Sequence, residues 1–226
     1  MKKQKSIIIS LVFLIICVSI FLFVKYRNIE SHKPIATINE HQKDLEKIKE
    51  IVKIGKDEVI YGSKDAKIDI IEYASYSCSH CATFHKNIIP KLEKELFSKN
   101  KVRLILRPYP LDEPSLKASM LVKCVKKKNR KKFIKALFST QKNWAFNKNY
   151  PERLENLAKI MGLSGIKFHN CMSNSKIEEE ILKSRLEASN VLMISSTPTL
   201  IINGQKYIGP ISSQELIKYV NNLLVN

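Results

Sequence analysis

Ile70-Ile71-Glu72-Tyr73-Ala74-Ser75-Tyr76-Ser77-Cys78-Ser79-His80-Cys81 reads as an apolar strand that turns into the start of a helix. Ile68, Ile70, Ile71 and Tyr73 make Lys67 to Ser75 β-rich and largely buried. After it, Cys81, Phe84, Ile88, Leu92 and Leu96 recur three or four apart, which predicts a helix from about Cys78 to Leu96. Pro90 removes a ladder bond and is expected to kink that helix. Two cysteines thus stand at the strand–helix junction. First-turn N–H groups and the helix dipole favour a thiolate at Cys78, and a protonated His80 adds positive charge. Cys81, one turn deeper, is shielded and reacts only with a disulfide already formed at Cys78. That asymmetry suits a nucleophile and a resolving thiol. Other uses of the pair fit less well. A zinc half-site wants a second pair, haem attachment wants a histidine where Ala82 stands, and a structural bridge closing so small a loop contributes little. No metal or cofactor is expected.

Working outward, Val102 to Leu106 is the next strand, and Pro108, Pro110 and Pro114 mark the loop after it. From Ser115 to about Ser195 the period is helical. One face holds Ala118, Leu121, Val122 and Val125; another holds Phe133, Ile134, Leu137 and Phe138, followed by Leu154, Leu157, Ile160 and Met161. Thr199 to Ile202 and Lys206 to Ile208 flank an Asn203-Gly204 hairpin turn. Ser212-x-x-Glu215 is a capping box for a last helix carrying Leu216, Ile217, Val220 and Leu223. Upstream, Val59 to Gly62 is a short strand or turn. His41 to Ile54 is an amphipathic helix with Leu45, Ile48, Ile51 and Val52 on one face, stopped by Gly55. That face can pack on the domain or on a second copy, giving a homo-oligomer. A strand–helix–strand start needs a right-handed crossover and a parallel pair, and the closing hairpin adds antiparallel strands. The expected class is α/β: a mixed sheet, helices on both faces, and a helical subdomain inserted over about 115–195.

The 226 residues are 44% hydrophobic and 27% charged, enough to bury a core in one or two domains. Six glycines and eight prolines exclude collagen-like sequence, and five cysteines are too few for a small disulfide scaffold. The net charge of +18 is concentrated in two places. One is Lys123 to Lys135, read as a solvated helix face and its adjoining turn. The other is the N-terminus, where Lys2, Lys3 and Lys5 precede an apolar run from Ile7 to Val24. That run is about 27 Å long as a helix, just short of a hydrocarbon core of roughly 30 Å. Residues 1–27 are therefore a signal peptide or an uncleaved membrane anchor, with a small-x-small site at Cys17-Val18-Ser19. Residues 28–54 are a linker and the amphipathic helix, and the chain beyond the leader is placed in the periplasm, an oxidising space. Export argues against nucleic acid as a partner, although the charge alone would suit it.

The strand-to-CxxC stretch, the Thr197-Pro198-Thr199 segment, the Asn203-Gly204 hairpin and the length of the insertion together resemble the thioredoxin superfamily, and more closely its DsbA-like disulfide oxidoreductases. The resemblance covers roughly 55–226. It implies a thioredoxin-like sheet and a redox-active Cys78–Cys81 pair with an acidic first thiol. It also implies roles for three other positions. Glu72 matches the buried carboxylate that takes the proton of the second cysteine. Pro198 matches the cis-proline beside the pair, baring the backbone of Thr197 to an extended substrate peptide. His80 matches the histidine of the family's dipeptide. Ser79 stands where proline is usual. Thr197 occurs in oxidants and isomerases alike, so the direction of exchange stays open. The implied activity is formation of disulfides in exported proteins with cysteine thiols, with reoxidation by a DsbB-like membrane partner. A disulfide isomerase, a cytochrome-maturation reductase, and a non-catalytic binding or assembly module are the alternatives.

Cys124 and Cys171 both fall in the insertion and are expected to pair; two buried free thiols is the other reading. Phe84, Trp144 and Phe146 are expected in the core and His85 in solvent. His169 beside Cys171 is too little for a metal site.

Overall fold

A computed structural model of the chain describes residues 18–19 and 38–225, with side chains for the first two and from Leu45 to Val225. The expected leader and linker lie outside the described residues except at Val18, Ser19, Ile38 and Asn39. The chain divides into two compact units, Met1–Glu46 and Lys47–Asn226, and the sheet belongs to the second. Among the described residues no helix is long and apolar enough to cross a membrane.

Five strands form one sheet: β1 (Val59–Gly62), β2 (Ile68–Ala74), β3 (Val102–Pro108), β4 (Thr199–Ile202) and β5 (Gln205–Ile208), in the order β1-β3-β2-β4-β5. β2 and β3 are parallel, as the crossover between them requires. β4 runs antiparallel to β2, and β5 to β4, as the hairpin demands. Asn203 and Gly204 both have positive φ, which the primed two-residue turn needs. β1, left open as strand or turn, is an antiparallel strand against β3. It ends at Gly62, where φ is +90° and a Cβ would meet Val102 O at 2.6 Å, so the close approach requires glycine.

The twofold period of the strands sorts side chains between the two faces. Ile70, Leu104, Leu200 and Ile202 enter the main core, with Phe84, Leu92 and Leu216 packed there. Ile71, Tyr73, Ile105 and Ile201 point the other way, into a smaller core closed by Ala188, Leu192 and Ile194. Helix α1 (Ile38–Val52) adds Ile48, Ile51 and Val52 to this second face, joined by Ile54. The apolar stripe from Ile48 onward is thus used within the chain, while Leu45 is exposed. Buried Arg107 locks the arrangement: it donates to Glu58, to the carbonyls of Ile51 and Lys53, and to Tyr73 Oη.

The helix predicted from Cys78 is not one smooth rod. It consists of α2 (Ser79–Thr83), a π-helical turn (Phe84–Ile88) and α3 (Ile89–Glu95). The irregularity lies ahead of Pro90, which occupies the first turn of α3, where its missing N–H costs least. The inserted helices are α4 (Glu113–Cys124), α5 (Arg130–Ser139), α6 (Gln141–Trp144), α7 (Tyr150–Ile160), α8 (Gly165–Met172) and α9 (Ser175–Val191). The last helix, α10 (Ser213–Val225), begins with the expected capping box: Glu215 N donates to Ser212 Oγ and Ser212 N to Glu215 Oε2. Three readings of the sequence are corrected. Phe146 and Ile160 are exposed: Phe146 follows the end of α6, and Ile160 is the last residue of α7, off its buried face of Leu154 and Ala158. Arg130, in the lysine run, is buried, since its guanidinium is saturated by Asp57 and the carbonyls of Val125 and Lys123.

Candidate active site

Because β2 and β4 are antiparallel neighbours, the end of β2 and the start of β4 lie at the same edge of the sheet. The first carries the turn into Cys78; the second is preceded by Thr197 and Pro198. The Thr197–Pro198 bond is cis, and Thr197 O accepts a hydrogen bond from Cys78 Sγ at 3.3 Å. Cys78 is the N-cap of α2: its backbone is extended, its carbonyl accepts from Ala82 N, and the open first turn lies beside its sulfur.

The two thiols have opposite surroundings. Cys78 is half-buried and Cys81 has no exposed surface. The Cys78 thiol is brought down to about 5. The chief cause is the hydrogen bond from the Cys81 thiol; burial opposes it, and Thr197 and the backbone N–H groups of Cys81 and His80 help. The Thr197 hydroxyl is buried with no other hydrogen-bond partner among the described residues, so it is available to a thiolate. Cys81 is pushed far up by burial first, then by its donation to Cys78 and the negative charge of Glu72. Residue 80 contributes through its backbone; its ring is exposed.

Glu72 lies on β2 with no exposed surface and pairs with His85, Nε2 to Oε2 2.8 Å. This corrects the solvated reading of His85, which is buried in the π-helical turn and stacked on Phe138. Four-residue spacing from Cys81 put it on the buried helix face and was a usable signal. Two further supports had no sequence signature. Gln141 Nε2 donates to the carbonyls of Tyr76 and Cys78. Ser115 Oγ, at the start of α4, accepts from Tyr76 N and Ser75 Oγ, which also bonds Ser77 Oγ. Together they hold the Ser75–Cys78 turn against the helical insertion. Away from this site, Cys124 and Cys171 form a disulfide between α4 and α8.

A cleft of about 790 Å³ lies elsewhere, beside Lys47, Arg107, Arg130 and Glu180. Its two arginines are already saturated within the fold, and the cysteines do not line it.

A five-stranded mixed sheet with a CxxC at a helix mouth facing a cis-proline defines the thioredoxin class of proteins. The family model described as thioredoxin matches residues 55–222. The crystal structure of Wolbachia pipientis alpha-DsbA1 superposes with a TM-score of 0.67 at 30% identity, covering 77% of this chain and 92% of that one. A putative protein-disulfide oxidoreductase of Rickettsia bellii is 27% identical over 166 residues, 73% of this chain. That match spans 64% of the relative's length. BdbD from Bacillus subtilis shares the fold, with a TM-score of 0.66 at 21% identity over 76% of this chain and 95% of that one. The chain belongs to the thioredoxin family, among its DsbA-like members.

Proposed function

We propose that the chain is an extracytoplasmic thiol:disulfide oxidoreductase that introduces disulfides into exported proteins, with Cys78 as the attacked sulfur and Cys81 as its resolving partner. The observation that carries this is the placement of the pair: Cys78 is half-buried at the mouth of α2 with its sulfur on Thr197 O beside the cis Pro198, a setting that brings its thiol down to about 5, while Cys81 has no exposed surface. A stabilised Cys78 thiolate makes the reduced pair the favoured product, so the disulfide readily accepts electrons. In the cycle, a substrate thiolate attacks Cys78 of the Cys78–Cys81 disulfide. The bond to Cys81 breaks, Cys81 leaves with its electron pair and is protonated, and a mixed disulfide joins substrate to Cys78. A second substrate thiolate then attacks the substrate sulfur, forming the new disulfide and releasing Cys78 as a thiolate. Two electrons remain on the protein and pass to a membrane reoxidant of the DsbB type.

The names of the relatives support the activity, and the basic, apolar leader supports export, either cleaved or as an anchor. His80, Glu72, Thr197 and Pro198 are assigned supporting roles, and Cys124–Cys171 a structural one. Equilibration of the full chain with reduced and oxidised glutathione is the test. As an oxidant, the pair is found reduced in buffers far more oxidising than those that reduce thioredoxin, whose potential is about −270 mV. A pair that stays oxidised until the buffer approaches that value would reassign the chain as a reductase. Loss of exchange in Cys78→Ser separates both from a binding module.

A further inference from the structure

A carboxylate sealed inside a protein needs a partner, because water no longer solvates its charge. For Glu72 that partner is His85, held at 2.8 Å through Oε2. The other oxygen, Oε1, is buried with no hydrogen-bond partner among the described residues. His85 stands four positions beyond Cys81, where the helix widens into the π-helical turn. Such turns recur at functional sites because the extra residue re-aims the side chains around it. The imidazole is fixed from three sides. It stacks on Phe138 with centroids 4.3 Å apart, and Tyr61 and Phe84 meet it edge-on at 6.1 and 5.9 Å. A ring so confined on a carboxylate that keeps one oxygen unspent is more than a filler of the core.

From this juxtaposition we propose that His85 is the positioning residue for the proton chemistry of Cys81. It pins Glu72 through Oε2, leaves Oε1 to serve the Cys81 thiol, and shares with Glu72 the proton that Cys81 takes up and gives back. The proposal rests on reading the chain as a thiol:disulfide oxidoreductase.

When a substrate thiolate attacks Cys78, the Cys78–Cys81 bond breaks and Cys81 leaves as a thiolate. In a buried site next to a carboxylate that anion is costly. One proton held by the Glu72–His85 pair moves to Cys81 Sγ, leaving a carboxylate and a neutral imidazole. On reoxidation Cys81 returns the same proton to the pair as its sulfur forms a bond to Cys78. No electron passes through Glu72 or His85. The other titratable groups around the pair are Tyr61 from β1, Tyr76 from the turn after β2, and Cys81 itself. Glu93, Arg130 and Lys131 stand behind the tyrosines. Burial raises both tyrosines well above their usual range, so neither supplies the proton near neutrality.

The test is single-turnover transfer of the disulfide to a dithiol peptide by the full chain, from pH 5 to 8, corrected for the peptide's own thiolate fraction. Wild type is expected to show a single inflection in that range. His85→Gln keeps a donor for Oε2 but holds no proton there; it is expected to lose the inflection and slow transfer roughly 100-fold at pH 7. Cys78 acidity, read from thiolate absorbance, is expected to stay unchanged. A wild-type rate with no inflection, or a folded His85→Gln with the same profile and rate, overturns the proposal. The wild-type comparison decides the matter even where the variant does not fold. Absence of any exchange by wild type instead sinks the oxidoreductase reading.

Discussion

The two cysteine pairs of this chain share one fold and differ in everything that governs a thiol. Cys78 and Cys81 are three positions apart and free; Cys124 and Cys171 are 47 positions apart and bonded. The first pair stands at a helix mouth, one sulfur half-exposed among hydrogen-bond donors. The second bridges two packed helices, against the same hydrophobic core. A bridge across four residues hardly restrains the unfolded chain, so making or breaking it is a matter of sulfur acidity and access. A bridge across 47 removes much of the unfolded chain's freedom and has no activated sulfur to reopen it. Sequence separation decides what a disulfide does for stability, and local electrostatics decide whether it exchanges.

Substitutions break that comparison in opposite directions. Cys78→Ser is expected to lower peptide oxidation about a thousandfold or more, because a hydroxyl at this site is no leaving group for exchange. Its urea midpoint at neutral pH is expected to fall below that of the reduced wild type, since the thiolate's stabilisation goes with the sulfur, and to approach it below about pH 5. The Cys124→Ala/Cys171→Ala double variant is expected to keep exchange within about twofold and lose about 4 kcal/mol of stability, the loop-closure contribution for its spacing. Equal losses of activity in the two would erase the distinction between the pairs.

The pH dependence sharpens it. In the reduced folded protein Cys78 gives up its proton near pH 5, whereas in the unfolded chain an ordinary thiol holds it to about 9.0. Between those values the unfolded state binds more protons, so reduced-state stability rises with pH. The gain is fully present above the unfolded value and is lost as pH falls through about 5. Urea unfolding of reduced and oxidised protein at several pH values is expected to show the reduced form's advantage shrinking from pH 7 to pH 5. Iodoacetamide labelling of Cys78 is expected to follow the same midpoint, and Cys81 to stay unlabelled. An advantage independent of pH would mean the thiolate is not what stabilises the reduced pair.

The strands, the parallel crossover, the hairpin and the capping box were legible because each rests on a short-range pattern: period two, period three to four, Asn-Gly, Ser-x-x-Glu. The CxxC was legible for the same reason, since its chemistry depends on the helix end that Cys78 itself caps. What could not be read depends on contacts between distant segments. The burial of His85 was within reach of its spacing from Cys81, but its pairing was not, because nothing local says that β2 places Glu72 2.8 Å from it. Arg130 looked like one more surface base until Asp57, 73 positions away, closed on it. The break in the first helix was assigned to Pro90, the residue with a local rule against helices, and occurs instead in the π-helical turn just before it. The leader and its cleavage lie outside the described residues.

Gln141 belongs to that second group and gives the smallest and most specific effect. Its side-chain amide donates from Nε2 to the carbonyls of Tyr76 and Cys78, at 2.8 and 2.9 Å. Leucine at 141 has nearly the same volume and leaves Tyr76 O without that donor in a buried setting, which costs about 1–3 kcal/mol. Cys78 O keeps the bond from Ala82 N, and the turn keeps its serine contacts to α4, so the cysteine is loosened and not released. Gln141→Leu is therefore expected to lower the urea midpoint measurably and to slow exchange only severalfold. The disulfide that staples α4 to α8 does not touch this turn, so the two effects are expected to add in a triple variant lacking Cys124 and Cys171. A combined loss well below the sum would show that the staple and the turn are coupled, and that the helical insertion transmits strain between the two cysteine pairs.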